Sequence, residues 1–337
     1  MNIAIDAMGG DFAPGAVVQG LALALEAERY GVDEFHLVGD ESAIQAELES
    51  AGIAGKPGLI IHHASEVVGM GDSAAASVRR KKDSSIAGAV ALVKDGTCGA
   101  LISAGNTGAA VASSTVRLRT LKGISRPGIL SPMPNDFGSC NLIDAGANTD
   151  AKPEHLLHYA IMGSVYAKHV LNRPSPIVGL MSVGEEDGKG TDFTRHVFDL
   201  LKTAPINFKG NVEGHDLFKT ELDVVVCDGF TGNIVLKSCE ATAKAMFKWL
   251  KEELYRTPRT KVGALLAKPA FKAVHEKGNY ESYGGSPLLG VNGVCIIGHG
   301  SSSPLAIKNA LRVAAEALTH DINPRIEEAI ATLPTTE

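Results

Sequence analysis

The chain has 337 residues, 45% hydrophobic and 21% charged, with a net charge of −6. That is enough apolar side chain to bury a large core, as one big α/β domain or two smaller ones, and the acidic balance excludes general nucleic-acid binding. Five cysteines (Cys98, Cys140, Cys227, Cys239, Cys295) are scattered without a Cys-x-x-Cys pair or a histidine at ligand spacing, so neither a disulfide framework nor a metal site is expected.

Met1 leads into Asn2-Ile3-Ala4-Ile5 without a charged n-region or signal core, and no run is long enough to span a bilayer, so the expected compartment is the cytoplasm. Ile3 to Ile5 predicts a short buried strand ending in Asp6-Ala7-Met8-Gly9-Gly10-Asp11. Pro14 to Arg29 then carries Val17, Val18, Leu21 and Leu25 at helical spacing. Glu34 to Val38 and Leu59 to His62 predict further strands, with a helix from Glu41 to Ser50 between them. Strands alternating with helices predict a mainly parallel sheet covered on both faces.

Gly69-Met70-Gly71-Asp72-Ser73-Ala74 has the spacing of a dinucleotide fingerprint and opens a nicotinamide-enzyme reading. Ser65 to Val68 before it is a weak strand, however, and Asp95, at the distance of a ribose contact, precedes the next strand instead of ending it. Arg79-Arg80-Lys81-Lys82 then runs into the helix cap Asp83-Ser84-Ser85, as a solvated charge run or as a cationic lip over an anion.

Ala100 to Ile102 is an apolar run that stops at Ser103 and is followed by Ala104-Gly105-Asn106-Thr107-Gly108 and small helix-favouring residues. This reads as strand, tight turn and helix start, where N–H groups without internal partners and the positive end of the helix dipole favour an anion. Further strands, Asn141 to Ile143, Pro176 to Val183, Asp223 to Cys227 and Val294 to Ile297, also end in glycine-rich polar turns. Six such turns at strand carboxyl ends are expected to meet in one crevice.

From Asn233 to Lys277 the helical pattern is too long for a crossover. Apolar Ala243, Met246, Phe247, Leu250 and Leu254 return through Val262, Leu265, Leu266, Phe271 and Val274, with Thr257-Pro258 at the turn. This predicts a helical hairpin whose apolar seam needs a partner, most simply a second copy of the chain. Lys237 to Lys277 carries ten Lys/Arg against four Glu, +6 locally, which leaves −12 on the remainder. Basic residues beside Leu265 and Leu266 suit contact with an anionic membrane surface, or form a wet basic face.

Asp6 to Asp11, Lys81-Lys82-Asp83-Ser84-Ser85, Ser103 to Ala109, Gly146-Ala147-Asn148, Gly184-Glu185-Glu186 with Lys189-Gly190, Asp228 to Asn233, Tyr283-Gly284-Gly285 and His299-Gly300 together resemble, in this order and over nearly the whole chain, the motifs of the PlsX family of acyl-ACP:phosphate acyltransferases. The resemblance implies a three-layer αβα fold like that of phosphotransacetylases and isopropylmalate dehydrogenase, as a single domain over 1–337 with the 233–277 hairpin as an insertion for dimerisation. It implies acyl transfer from acyl carrier protein to inorganic phosphate at the start of phospholipid synthesis, without a cofactor, in a homodimer peripherally bound to membrane. It leaves room for contact with the downstream glycerol-3-phosphate acyltransferase. The chain departs from the family pattern at Ala74, where a proline is expected after Met70-Gly71-Asp72-Ser73.

Under that resemblance, phosphate attacks a thioester, and the protein's task is to hold two anionic partners and stabilise an oxyanion. The expected donors are the N–H groups of Gly105 to Gly108, Thr107 among them, or the Asn106 side chain. Lys189 is the expected phosphate-holding cation, and His299 either protonates the departing sulfur or hydrogen-bonds phosphate. Asp6, Asp11 and Asp228 are expected to orient Lys or backbone donors. The remaining expected contacts come from the same motifs: Gly9, Gly10, Lys82, Ser84, Ser85, Ser103, Asn148, Glu185, Gly232, Asn233, Gly284 and Gly285. No G-x-S-x-G elbow occurs, so a covalent acyl-serine is not expected. A phosphate acetyltransferase using acetyl-CoA, the nicotinamide dehydrogenase and a non-catalytic membrane scaffold are the alternatives.

Overall fold

In the computed structural model, which describes residues 1–333 and the backbone alone at residues 28, 29, 275 and 280, the first half of the chain is a run of strand–helix units. These are β1 (Asn2–Asp6), α1 (Gly15–Glu26), β2 (Glu34–Gly39), α2 (Glu41–Ser50), β3 (Leu59–His63), α3 (Ala74–Arg80), α4 (Ser85–Lys94), β4 (Ala100–Ser103) and α5 (Thr107–Leu118). A hairpin of β5 (Gly128–Asn135) and β6 (Gly138–Ile143) follows, then α6 (Pro153–His169), β7 (Ile177–Met181), α7 (Asp192–Thr203), β8 (Asn207–Val212), α8 (Asp216–Lys219) and β9 (Val224–Val226). Two long helices, α9 (Gly229–Leu254) and α10 (Pro258–Gly278), precede β10 (Ser286–Leu289), β11 (Val294–Ile297), α11 (Pro304–Thr319) and α12 (Ile322–Ala331).

One sheet runs in the order β3-β2-β1-β4-β11-β10-β5-β6-β9-β7-β8. Because side chains alternate across a strand, each face receives its own apolar set. Ile3, Ile5, Phe35 and Leu37 face α1, α2 and α11, while Ala4, Val38, Leu101 and Cys295 face α4 and α5. In the second half Val224 and Val226 join the first face, with α6 and α7, and Val225 packs with Leu142 and Cys227 beneath Leu236 of α9. The result is helix, sheet, helix: the αβα arrangement.

Three antiparallel pairings, β10 with β11, β10 with β5 and β5 with β6, reverse the sheet midway. The strands β6, β7, β8 and β9 therefore run against β1, β2, β3, β4 and β11. Register makes this productive. Ile296 pairs with Pro287 and Leu288 with Ile129; one residue on stands Leu130, the partner of Ile143. The carboxyl ends of β11 and β6 thus point toward each other from opposite directions, three strand spacings or about 14 Å apart.

Candidate active site

The turns after β1, β4 and β11 are packed into one cluster. Ser103 Oγ donates to Asp6 Oδ2 at 2.6 Å and accepts from the Gly105 N–H at 3.3 Å. Gly298 N–H donates to Ser103 O, and Asp11 N–H to Gly300 O, at 2.8 and 2.7 Å. Glycine is required where the backbones touch: a Cβ on Gly9 would stand 2.8 Å from Gly105 N, and Gly10, at φ +114°, would place one 3.1 Å from Gly300 O. The carboxylates expected to orient Lys or backbone donors are engaged locally. Asp6 fixes Ser103, and Asp228 caps α9 through Thr231 N–H and Oγ1 at 2.9 and 2.6 Å. Burial raises the Asp6 carboxyl above its usual range, against the pull of the Ser103 and Ser85 hydroxyls and the Met8 N–H.

Asn106 departs from its expected role as a side-chain oxyanion donor. Its Oδ1 caps α5 by accepting from Ala109 N–H at 2.9 Å, and its Nδ2 donates to the carbonyls of Gly69, Met70 and Asp72 at 3.2, 3.0 and 3.0 Å. Every polar atom of the amide is committed, so the anion-facing donors at this turn are the first N–H groups of α5, those of Thr107 and Gly108, which have no intrahelical acceptor. The 69–72 loop is latched a second time by Lys81, whose Nζ donates to Val67 O at 2.6 Å and pairs with Asp72 at 2.7 Å. The Lys81 hydrogen bond, then the Gly69 N–H, holds the Asp72 carboxyl below its usual range. No strand leads into Gly69, which removes the structural context a dinucleotide fingerprint needs. Lys81 and Asp72 were invisible as a pair in the sequence, where Lys81 was one cation in a run of four.

His299 lies at the rim of this cluster. Its Nδ1 accepts from Ser301 N–H at 3.2 Å and contacts Ser301 Oγ at 2.8 Å, which in a neutral ring places the proton on Nε2. Ser85 faces Asp6 from the start of α4, Ser84 is buried with its Oγ donating to Lys81 O at 2.9 Å, and Lys82 is exposed. Gly284, at φ +87°, packs on the backbone of Asn309, and Gly285 on Ile296 and Ile297.

On the opposing side, Asp144 sits where a bound anion would in a nest of N–H groups. Its Oδ1 accepts from Ile129, Gly146 and Ala147 and its Oδ2 from Asn148, at 2.7 to 3.0 Å. Gly229 N–H in turn donates to Asn148 O at 3.0 Å, and a Cβ on Gly232 would overlap the Asp144 carbonyl oxygen. The groups expected at Asn148 and Gly232 as substrate contacts are therefore spent on joining the 144–148 loop to α9. Asn148 Nδ2 contacts His155 Nδ1 at 3.2 Å and donates to Tyr159 Oη at 3.4 Å. An acidic residue ahead of Ala145-Gly146 was the sequence signal for this Asx turn.

A large groove joins the two sides. Thr107, Gly298 and His299 line it with Ala145 and Asn233, and Ile129, Pro132, Met133, Pro134 and Phe218 floor it toward the inner faces of α9 and α10. Turns from five of the six strands thus reach one place or touch those that do. The turn after β7 does not. It stands five strand positions from β11, about 24 Å along the sheet, where Lys189 Nζ lies 4.0 Å from Glu186 and is exposed. Glu185 lies instead with His215 and Asp216, whose ligand atoms come within 4.8 Å of one another; both Asp216 oxygens already accept, from Thr220 Oγ1 and Glu213 N–H. Helices α9 and α10 follow one another across Tyr255 to Thr257, with Thr257 capping α10 and Pro258 at its first position, while α9 begins at Gly229, four residues before the predicted start.

The model of the fatty acid synthesis protein family matches residues 1–325. The phosphate acyltransferase of Akkermansia muciniphila is 52% identical over 99% of this chain and 97% of its own length, and that of Pelotomaculum thermopropionicum 49% identical over 97% and 95%. Among solved structures, a phosphotransacetylase from Streptococcus pyogenes superposes with a TM-score of 0.62 at 17% identity over 95% of this chain and 94% of that one. A branched-chain phosphotransacylase from Enterococcus faecalis gives 0.60 at 15% identity over 95% and 99%. These structures share the fold.

Proposed function

The chain belongs to the fatty acid synthesis protein family, and from that premise we propose that it transfers a fatty acyl group from the thioester of acyl carrier protein to inorganic phosphate. The thioester carbonyl lies at the start of α5, its oxygen toward the N–H groups of Thr107 and Gly108. A phosphate oxygen attacks the carbonyl carbon, and the developing oxyanion takes charge that these N–H groups and the helix dipole stabilise. The intermediate collapses with cleavage of the C–S bond. The electron pair leaves on sulfur, to which His299 Nε2–H can donate a hydrogen bond, and the thiolate takes its proton from solvent; the products are acyl phosphate and free carrier thiol.

The observation that carries this reading is the groove. It starts at Thr107 and His299 and continues over Ile129, Pro132, Met133 and Phe218, far more apolar length than a two-carbon acetyl group can fill. The test is turnover with palmitoyl carrier protein against acetyl-CoA at equal concentrations and saturating phosphate. Long-chain carrier protein is expected to be favoured at least about tenfold; preference for acetyl-CoA would overturn the reading in favour of a phosphate acetyltransferase.

The hairpin supports assembly and membrane contact as part of the same proposal. Met246, Trp249, Leu250 and Val262 are exposed along it, with Leu265 at 71% and Leu266 at 78% exposure, and no helix among the described residues is long and apolar enough to cross a membrane. A second copy covers the seam that faces the groove, Leu265 included, and Leu266 meets an anionic bilayer beside the basic residues. Leu266→Glu should release the protein from anionic vesicles in flotation while leaving a dimer in light scattering; unchanged flotation would refute the membrane contact.

A further inference from the structure

Asp6 is a second anion in a place built for the first. It is 4% exposed, and while its Oδ2 accepts from Ser103 Oγ, its Oδ1 is buried without a hydrogen-bond partner of normal geometry. Asp6 lines a small cavity that the turn into α5 enters at Gly105 and Asn106, α5 at Ala109 and α4 at Ser85 and Ile86. Two helix amino ends, from helices of twelve and ten residues, therefore converge on one orphaned carboxyl oxygen. A buried polar atom left unpaired is costly, and an ionised one beside a bound oxyanion more so, unless a proton lies between them.

We infer that Asp6 Oδ1 shares one proton with the anion bound at the start of α5, so that an oxyanion carrying its own proton is admitted and one without is refused. The inference rests on the acyl-transfer reading, in which the attacking phosphate lies at the start of α5 beside the thioester carbonyl held by Thr107 and Gly108, and adds the selectivity of that phosphate position. Phosphate at neutral pH always bears at least one P–OH, which donates to the Asp6 carboxylate. Sulfate has the same shape and charge but no proton to give, and meets ionised Asp6 as one bare anion meets another.

Every other residue lining this cavity is uncharged: α4 presents Ser85 and Ile86, β4 Ser103, the following turn Gly105 and Asn106, α5 Ala109, the 65–72 segment Val68 and its own turn Met8 and Gly9, with Val38 beside it on β2. Of the residues lining the cavity only Asp6 can ionise; Asp11 on its own turn and His299 after β11 are the titratable groups on the neighbouring turns, and Asp6→Asn separates its part from theirs. Burial raises its pKa, so at low pH the neutral acid donates to either anion, and discrimination appears as pH rises through that raised value.

The experiment is calorimetric titration of the full chain with sodium phosphate and with sodium sulfate, without acyl donor, from pH 5 to 8.5. Phosphate is expected to bind on the order of a hundredfold more tightly than sulfate at pH 8, and the ratio to fall as the pH is lowered. In Asp6→Asn the amide NH₂ offers a donor at every pH, so the ratio should stay near one throughout. Equal affinity for the two anions in the native protein at pH 8, binding of neither, or a ratio unchanged in Asp6→Asn would overturn the inference and leave Asp6 as a support for Ser103. Should Asp6→Asn not fold, the pH profile of the native protein decides alone. Turnover with palmitoyl carrier protein is measured in parallel: its failure would sink the acyltransferase reading, while the anion ratio still decides the role of Asp6.

Discussion

Replacing Asn106 separates two accounts of how it contributes. Its Nδ2 has two protons for three carbonyls, those of Gly69, Met70 and Asp72 at 3.0 to 3.2 Å, so the latch amounts to about two exposed hydrogen bonds, roughly 1–3 kcal/mol. Losing them shifts loop opening by about tenfold to a hundredfold. The Oδ1 cap on Ala109 N–H adds about 1 kcal/mol. Asn106→Asp keeps an acceptor for the cap and faces the three carbonyls with a carboxylate; Asn106→Ala removes both. The reporters are amide exchange at Gly69 and Asp72, whose N–H groups bond within the loop at 2.8 and 3.1 Å. Both variants are expected to exchange at least about tenfold faster there, Asn106→Ala alone losing thermal stability through the helix, and turnover should fall at least about tenfold in both as the loop leaves the site. A loss of about 10²–10³ in turnover with loop exchange unchanged would refute the latch and restore the side chain as an oxyanion donor.

Three further outcomes follow from the packing and the charges. Ala74 is the first residue of α3 after the extended Ser73, a position proline accepts without strain, so Ala74→Pro should stabilise the protein by about 0.4–1 kcal/mol in denaturant unfolding; destabilisation would mean the start of α3 is not as described. Gly232→Ala should destabilise by about 2 kcal/mol or more, since overlap with the Asp144 carbonyl outweighs the roughly 1 kcal/mol that alanine returns in a helix; a neutral effect in the same assay would contradict the close contact between α9 and the 144–148 loop. Burial, reinforced by the neighbouring His36 at 2.8 Å, lowers the pKa of His62 below 6.5. The unfolded chain then binds more protons than the folded one between that lowered value and 6.5, so stability contributed above pH 6.5 is lost as pH falls through this window. Melting temperature should drop across it, less steeply in His62→Gln; an identical slope in the variant would remove His62 from the account.

The first half of the molecule was legible because each strand and helix is local: Val17, Val18, Leu21 and Ala24 are buried along one stripe of α1, and α2 covers the predicted Glu41 to Ser50. The second half was not, because its strands break the rules that pattern reading relies on. Pro132 and Pro134 lie inside β5, residues that argue against a strand, and without β5 and β10 the reversal of the sheet is invisible. Gly229 and Gly232 read as a turn but lie in α9, where contact with Asp144 leaves no room for a side chain. At the site, the Asp6, Ser103 and Gly298 turns were found as motifs because each is a strand end followed by glycine. What Asn106 bonds, 34 to 37 residues away in the chain, and which turn Lys189 joins depend on tertiary packing that spacing does not encode.

The most direct test of the central claim is a phosphate-dependence measurement: purified protein with palmitoyl carrier protein, with and without inorganic phosphate, following free carrier thiol and hydroxylamine-trapped acyl phosphate together. The account predicts thiol release that requires phosphate and equals the acyl phosphate formed. Release indifferent to phosphate, or none at all, would contradict it.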